Sequence, residues 1–277
     1  MRSHKEQLLD AAILEKIKAL GLTGKALDGA KLLLEDDEIH SVQEYANHVS
    51  IVRLGYNDHG PVHMRIVARN AVVILALLRK AGIKTNAESE NAGGGSSLGD
   101  FEDSVIAVFM AALLHDLGMS LGRQDHEVHS TYLAAPIIDR VLLKLFPENV
   151  QKRTMIRSLA LEGIYGHMGT RSIHSLEAGI VQVADGCDMT KGRARIPIAL
   201  KPTPSVGDIH QISANSIKAV RLSPGKDKPV RIKVLMSSDA GLFQIEEILL
   251  KKIAASTAKK YIELYTQVEE GNPKKYL

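Results

Sequence analysis

Hydrophobic positions recur at helical spacing along the first two thirds of the chain, with charged residues on the opposite faces of the same segments. The pattern predicts helices over residues 3–20, from Ser41 to Val52, from Pro61 to about Gly82, from Phe101 to His115, from His126, from Arg153 to Gly166 and from Ser175 to Thr190. Pro202 and Pro204 then interrupt this pattern and predict a linker. The first part of the chain is therefore expected to be mainly helical.

Beyond the linker the pattern changes to short runs of strand-like residues. Two such runs, Ile217 to Leu222 and Val230 to Met236, flank a Ser-Pro-Gly-Lys-Asp turn. A helix from Gln244 to Ala255 and a strand-like run from Tyr261 to Val268 follow, which predicts a β-β-α-β unit. We therefore expect a mainly α protein, with a helical domain over residues 1–204 that includes a flexible loop at about 85–100, and a small α+β domain over residues 205–277.

The composition is typical of a soluble globular protein. The chain has 277 residues, of which 45% are hydrophobic and 24% are charged, so it is long enough to bury a sizeable core. Its longest apolar runs are too short for a membrane span, and its N-terminus lacks the continuous apolar segment of a secretory signal. The single cysteine, Cys187, excludes an internal disulfide, so we expect a cytoplasmic protein with no membrane partner.

The net charge of +3 gives no clear signal for nucleic-acid binding. The charge is nevertheless uneven, because ten lysines and arginines face only two acidic residues between Met189 and Lys233. This basic stretch suits an anionic substrate, and a solvated surface is the alternative interpretation.

The candidate chemistry starts from His115-Asp116, which ends the apolar run from Val105 to Leu114. Two adjacent ionisable residues in such a setting are costly to bury unless something compensates their desolvation, and a metal ion would do so. His63 shares a helix face with Ile66 and Asn70 and should point inward. Three further residues stand in similar helical settings: His126, His167 and Asp185.

The order His…His-Asp…His…His…Asp resembles the HD-domain superfamily of metal-dependent phosphohydrolases, in its six-ligand, two-metal version. The Asn-Asp-His-Gly-X-X-His segment that ends at His63 is similar to that of a subset of these proteins, which makes His59 a second candidate. The resemblance implies an HD-domain helical bundle before the α+β unit. It also implies a ligand set: His63, His115, Asp116, His126, His167 and Asp185.

Three ligand assignments keep a neighbouring alternative: His129 for His126, His174 for His167, and Asp188 for Asp185. Asp185 is preferred because it follows an apolar turn, whereas Asp188 sits beside polar residues. Nitrogen and oxygen ligands without thiolates suit one or two ions of Mn, Fe, Co, Ni or Zn.

The resemblance further implies a phosphohydrolase in which a metal-activated water attacks a nucleotide or another small phosphate ester. Asp116 would bridge the two ions. The candidate catalytic residues are Asp116, Lys191, Arg193 and His59, and the candidate substrate-binding residues are Arg171, Lys191 and Arg193. Exposed surface charge is the alternative for each of the three basic residues.

Two departures argue against the cyclic-dinucleotide branch of the superfamily. Met119 stands where that branch has lysine, and His167-Met168-Gly169 replaces its second signature. Two other functions stay open, since di-iron oxygenases share the ligand order and a sensor or assembly protein would use the metal structurally. The C-terminal unit is expected to pack on the helical domain or on a partner subunit, and we expect a homo-oligomer.

Overall fold

The computed structural model describes residues 2–89, 97–190, 209–269 and 271–277, and the statements below refer to them. Helices form most of the described chain, as the hydrophobic periodicity predicts. They are α1 (His4–Ala19), α2 (Lys25–Leu34), α3 (Asp37–His48), α4 (Pro61–Lys80), α5 (Asn86–Ser89), α6 (Phe101–Leu114), α7 (His126–Leu145), α8 (Val150–Gly166), α9 (Leu176–Gly186) and α10 (Ile209–Asn215). A π-helical turn, Val49–Arg53, continues α3, and a 3-10 turn, Leu117–Ser120, lies between α6 and α7.

The C-terminal unit contains a four-stranded sheet, with a helical segment between its second and third strands. Its strands are β1 (Ile217–Pro224), β2 (Val230–Met236), β3 (Ile262–Val268) and β4 (Lys274–Lys275), in the sheet order β1-β2-β3-β4. The segment α11 consists of Leu242–Gln244, the π-helical turn Ile245–Leu249 and Leu250–Ala255. Strand β2 is antiparallel to β1 and parallel to β3, and α11 provides the crossover that a parallel pair requires. The predicted mainly α fold with a small α+β unit is confirmed.

Helix α6 lies at the centre of the helical part. It contacts α2, α4, α8 and α9, and every residue from Ser104 to Leu114 is buried. A helix that is apolar on all sides is stable in this position because neighbouring helices cover each of its faces. Two segments, 61–80 and 101–120, are long and apolar enough to cross a membrane, but 67% and 94% of their hydrophobic windows are buried inside the protein. Such burial is typical of the core helices of a soluble protein.

Several segments differ from the sequence-based expectation. Helices α2 and α10 and strand β4 were not predicted, and Asn86–Ser89 forms a short helix inside the expected flexible loop of about 85–100. The buried carboxylate of Glu177 accepts hydrogen bonds from the amides of Asn86 and Ala87, at 3.2 and 3.1 Å, and so holds the start of α5. Residues 90–96 of the same loop lie outside the described residues, as does the expected boundary at residues 204–205.

The C-terminal unit packs on the helical part through α11 and α9. Ile245, Leu249 and Ile253 of α11 are buried and belong to the same hydrophobic core as the helices of the first part. An added Cβ at Gly179 of α9 would overlap the hydroxyl of Thr257, so the absence of a side chain at Gly179 permits this close approach. The core is therefore continuous between the two parts.

Candidate metal centre

Helix ends deliver all six candidate ligands to one place. His63 lies in the first turn of α4, where Pro61 occupies the first helical position. His115 caps the end of α6 and is followed by Asp116. The other three follow the same rule: His126 begins α7, His167 caps the end of α8, and Asp185 lies in the last turn of α9. All six side chains are buried, with exposed fractions of 6% or less.

A close packing contact sets the position of His126 relative to Asp116. Gly118 lies in the 3-10 turn, and its amide donates to the hydroxyl of Ser130 at 2.8 Å. An added Cβ at Gly118 would overlap the carbonyl oxygen of His126. The absence of a side chain at Gly118 therefore allows the first turn of α7 to approach the His-Asp pair.

Four of the residues form the first cluster. The Nε2 atom of His63 lies 3.3 Å from Oδ2 of Asp116 and 3.3 Å from Oδ1 of Asp185. The Nε2 atom of His115 lies 3.3 Å from the same Asp116 oxygen and 3.8 Å from Oδ1 of Asp185. The two nitrogens are 3.2 Å apart. Four ligand atoms thus face a common point: one from α4, one from each of the two residues that follow α6, and one from α9.

The second cluster uses the other oxygen of Asp116. Its Oδ1 atom lies 3.2 Å from Nε2 of His126 and 3.4 Å from Nε2 of His167, and these nitrogens are 3.2 Å apart. A third grouping, His115, His167 and Asp185, connects the two clusters, and the ligand atoms of each grouping lie within 4.8 Å of one another. Asp116 therefore presents one carboxylate oxygen to each cluster.

The hydrogen bonds at the opposite ring nitrogens define which tautomer each neutral histidine adopts. Nδ1 of His63 lies 2.7 Å from Oδ2 of Asp188, an acceptor that requires a proton on this nitrogen. The other three Nδ1 atoms donate to main-chain carbonyls three residues earlier: His115 to Ala112 at 2.9 Å, His126 to Arg123 at 3.0 Å and His167 to Ile164 at 2.7 Å. In the neutral rings each Nε2 atom then carries a lone pair directed into the centre.

The electrostatics of the centre favour ionised carboxylates and a neutral His167. Burial would raise the pKa of Asp116, but the charge of His115 and its hydrogen bond outweigh burial and hold this pKa well below its usual value. Burial likewise opposes ionisation of Asp185, and the ammonium of Lys252 and the hydrogen bond from His63 lower its pKa well below its usual value. Desolvation lowers the pKa of His167 to about 4, so its ring is neutral at physiological pH.

These residues fit a bound metal. Imidazole nitrogens and carboxylate oxygens converge on the same points at 3.2–3.4 Å, and all of these atoms are acceptors when the rings are neutral. Such acceptor atoms repel each other unless a cation lies between them. Imidazole nitrogen and carboxylate oxygen are the ligands that divalent transition metals accept, and each imidazole is oriented by a hydrogen bond at its other nitrogen.

The three alternatives from the sequence lie in different positions. Asp188 contacts Nδ1 of His63 and belongs to none of the metal-binding groupings among the described residues. Nδ1 of His129 is buried without a hydrogen-bond partner, and this ring is also absent from the groupings. His174 is exposed, and its main-chain amide donates to Glu162. The structure thus brings the preferred residue of each pair into the centre.

The remaining candidates lie beside the centre or outside the described chain. His59 is half-buried, its Nδ1 lies 2.6 Å from the carbonyl oxygen of Asn57, and its ring centroid is 6.0 Å from that of His63. Arg171 binds Glu127 and Asp125 at 3.0 and 2.8 Å. Lys191 and Arg193 lie outside the described residues, so their roles stay predictions.

Two basic residues near the centre were missed by the sequence reasoning. Lys252 of α11 forms an ion pair with Oδ2 of Asp185. Nη1 of Arg123 lies 3.2 Å from Nε2 of His126. Lys252 follows Ile245 and Leu249 at helical spacing, so its position on the apolar face of α11 was a signal for a buried contact. Arg123 has no comparable signal, because it lies in a turn.

Comparisons with known proteins identify the family of the part of the chain that holds this centre. A family model described as HD domain matches residues 63–190, a range that contains all six candidate ligands. An uncharacterized protein of Methanocaldococcus jannaschii, MJ1020, is 40% identical over 241 residues, which are 87% of this chain and 88% of that protein. No solved structure shows a significant match.

The chain belongs to the HD-domain superfamily, as the order of its histidines and aspartates predicted. HD-domain proteins bind divalent metals and are in general metal-dependent hydrolases. The His and Asp groupings of this chain have the composition and spacing to hold such a metal.

Proposed function

We propose that this protein is a phosphohydrolase with a centre for two divalent ions, acting on a nucleotide or another small phosphate ester. One observation carries the proposal: the two oxygens of Asp116 face different clusters of imidazole lone pairs. A carboxylate placed in this way is suited to bridge two cations. His63, His115 and Asp185 would complete one position, and His126 and His167 the other.

Divalent ions held here would supply hydroxide at neutral pH by lowering the pKa of bound water, and would neutralise the phosphoryl oxygens. The protein's own residues do the positioning. Asp188 and three main-chain carbonyls fix the imidazole rings, so that the ligands need little reorganisation. No side-chain nucleophile is then required.

Arg123 is suited to bind the anionic substrate. In this structure its guanidinium, which is partly exposed, lies against the ring of His126, with Nη1 3.4 Å from Nδ1 and 3.2 Å from Nε2, and no carboxylate among the described residues forms an ion pair with it. A guanidinium without a carboxylate partner, placed beside the centre, is suited to donate to a phosphate oxygen. Arg171 forms ion pairs with two carboxylates, so we propose that it stabilises the start of α7. Lys191 and Arg193 remain additional candidates for the phosphate.

The position of Met119 supports a substrate other than a cyclic dinucleotide. Met119 is fully buried, with an exposed fraction of 0%, and carries no charge where the cyclic-dinucleotide branch has a lysine. An uncharged residue at this position is consistent with a small ester that depends on the metal ions and on Arg123 for charge neutralisation.

A substrate screen tests the proposal. Purified protein is stripped with chelator, reloaded with Mn²⁺, Co²⁺, Ni²⁺, Zn²⁺ or Fe²⁺, and assayed for phosphate release from nucleotides and sugar phosphates, with Asp116→Ala as the control. We expect release that depends on metal and is absent in the control. Activity with iron alone that consumes oxygen would support an oxygenase, and a bound metal without any turnover would support a sensor. The cytoplasmic location and the homo-oligomer stay predictions. Sedimentation analysis would measure the oligomeric state.

A further inference from the structure

A lysine from the C-terminal unit reaches the candidate metal centre. Nζ of Lys252 forms an ion pair with Oδ2 of Asp185, the ligand candidate in the last turn of α9. Both side chains are buried, with exposed fractions of 9% and 6%. Because the ammonium is almost inaccessible to solvent, this contact differs from a surface ion pair, whose contribution would be small. A buried ammonium also needs its carboxylate partner to compensate its desolvation.

The packing of α11 on α9 holds Lys252 in place. An added Cβ at Gly186, the residue after Asp185, would lie 3.3 Å from Cδ of Lys252, so the lysine stem packs directly against the α9 backbone. Just beyond α11, the hydroxyl of Ser256 donates to the carbonyl of Gly179 at 2.9 Å, and that of Thr257 donates to the carbonyl of Ser175 at 2.7 Å. The C-terminal part of α11 and the two residues after it therefore contact both the start and the end of α9.

The two oxygens of Asp185 have separate partners. Oδ1 faces the Nε2 atoms of His63 and His115, and Oδ2 is taken by Lys252. A carboxylate held in this way offers one oxygen, in one orientation, to the first cluster. Hydrogen-bonded partners behind a metal ligand commonly set the affinity of the site in this manner.

We propose that Lys252 is a positioning residue of the metal centre, and that the C-terminal unit is thereby an integral part of it. The inference rests on the proposed function only in requiring that the first cluster binds a metal. Fixing Asp185 by metal then stabilises the contact with Lys252, and docking of α11 raises metal affinity at the first cluster. The two effects are equal in free energy because they belong to one thermodynamic cycle.

Mn²⁺ titration of the full-length protein tests this proposal. Lys252→Met removes the ammonium but keeps most of the stem, Lys252→Arg keeps the charge, and Lys251→Met alters an exposed neighbour that pairs with Glu247. We expect wild type and Lys251→Met to bind two equivalents alike. Lys252→Met should bind one of them about 10–100-fold more weakly and retain the other, with partial recovery in Lys252→Arg.

Two results would overturn the role of Lys252. If Lys252→Met binds both equivalents of Mn²⁺ with wild-type affinity, Lys252 does not position the centre. An equal loss of affinity for both equivalents would instead show a general structural effect. Absence of Mn²⁺ binding by the wild type would refute the proposed function itself, so the two failures are distinguishable.

A second measurement needs no variant and holds even if Lys252→Met fails to fold. Hydrogen exchange of the wild type, with and without Mn²⁺, should show greater protection of amides at 250–255 on metal binding. Amides of the β1–β2 pair, which belong to the sheet and not to α11, serve as the internal reference. Unchanged exchange at 250–255 in protein that has bound Mn²⁺ would contradict the coupling.

Discussion

Replacement of Asp116 by alanine should remove both metal ions, whereas replacement of His126 should remove one. The expectation follows from the four contacts of the Asp116 carboxylate, in which Oδ2 lies 3.3 Å from His63 and His115 and Oδ1 lies 3.2–3.4 Å from His126 and His167. His126 contributes to the second cluster alone. Asp116→Ala should therefore bind no metal where wild type binds two equivalents, and His126→Ala should keep one.

The magnitude can be set from the position of Asp116. Loss of a group that only supports a ligand weakens metal binding by about 10–100-fold, or about 1.4–2.7 kcal/mol. Because Asp116 would itself be a ligand at both positions, each ion should lose more than that. At micromolar protein and metal, such a loss empties both sites for any wild-type affinity near the micromolar range.

The assay is elemental analysis of dialysed protein together with calorimetric titration. Circular dichroism of the metal-free variants should first show that the helices are retained, and His174→Ala is the matched control because His174 is exposed. Two equivalents in Asp116→Ala would refute the bridging role. Loss of both ions in His126→Ala would instead indicate that the two clusters act as one site.

Three further predictions use other features of the centre. Burial lowers the pKa of His167 to about 4 from an ordinary value of 6.5. Between these pH values the unfolded chain binds a proton that the native ring does not. The free energy of unfolding of the metal-free protein should therefore fall by up to about 3 kcal/mol as pH drops from 6.5 to 4. Urea titrations across this range check it, and equal slopes for wild type and His167→Asn would count against it. Arg123→Gln should lower kcat/KM by an amount equivalent to about 1.5–3 kcal/mol of transition-state stabilisation, with metal content intact. Lys191→Ala or Arg193→Ala should have the same effect if these residues also bind the phosphate. Unchanged kinetics in any variant excludes that residue from substrate binding. Gly118→Ala should lower the free energy of unfolding by about 1–3 kcal/mol and weaken binding of the ion at His126, because the new Cβ would overlap the carbonyl of His126. A variant that unfolds like the wild type and binds two ions tightly would show that α7 adjusts freely.

The sequence predicted the elements well where periodicity is strong. The helix predicted from Phe101 to His115 is α6 (Phe101–Leu114), and the predicted run from Val230 to Met236 is strand β2. Helix α5 could not be predicted, because the group that stabilises it, Glu177, lies about 90 residues away in the chain. Contacts of this kind depend on tertiary packing, which local composition does not record.

The candidate site shows the same division. The ligand order was readable because the order of the six residues resembles that of the HD-domain superfamily, yet spacing left the choice between His126 and His129 open. These residues are three apart on one helix, so they lie on nearly the same face. The choice follows only when α7 and α8 converge and place His126 3.2 Å from His167. Lys252 required the docking of α11 on α9, which no single-segment pattern contains.

Anomalous scattering from crystals grown with Mn²⁺ tests the central claim most directly, because it reports the number, identity and position of the ions together. We expect two peaks on either side of the Asp116 carboxylate. One should lie among His63, His115 and Asp185, and the other beside His126 and His167. A single peak between the clusters, or occupied sites that Asp116 does not contact, would contradict the two-ion centre.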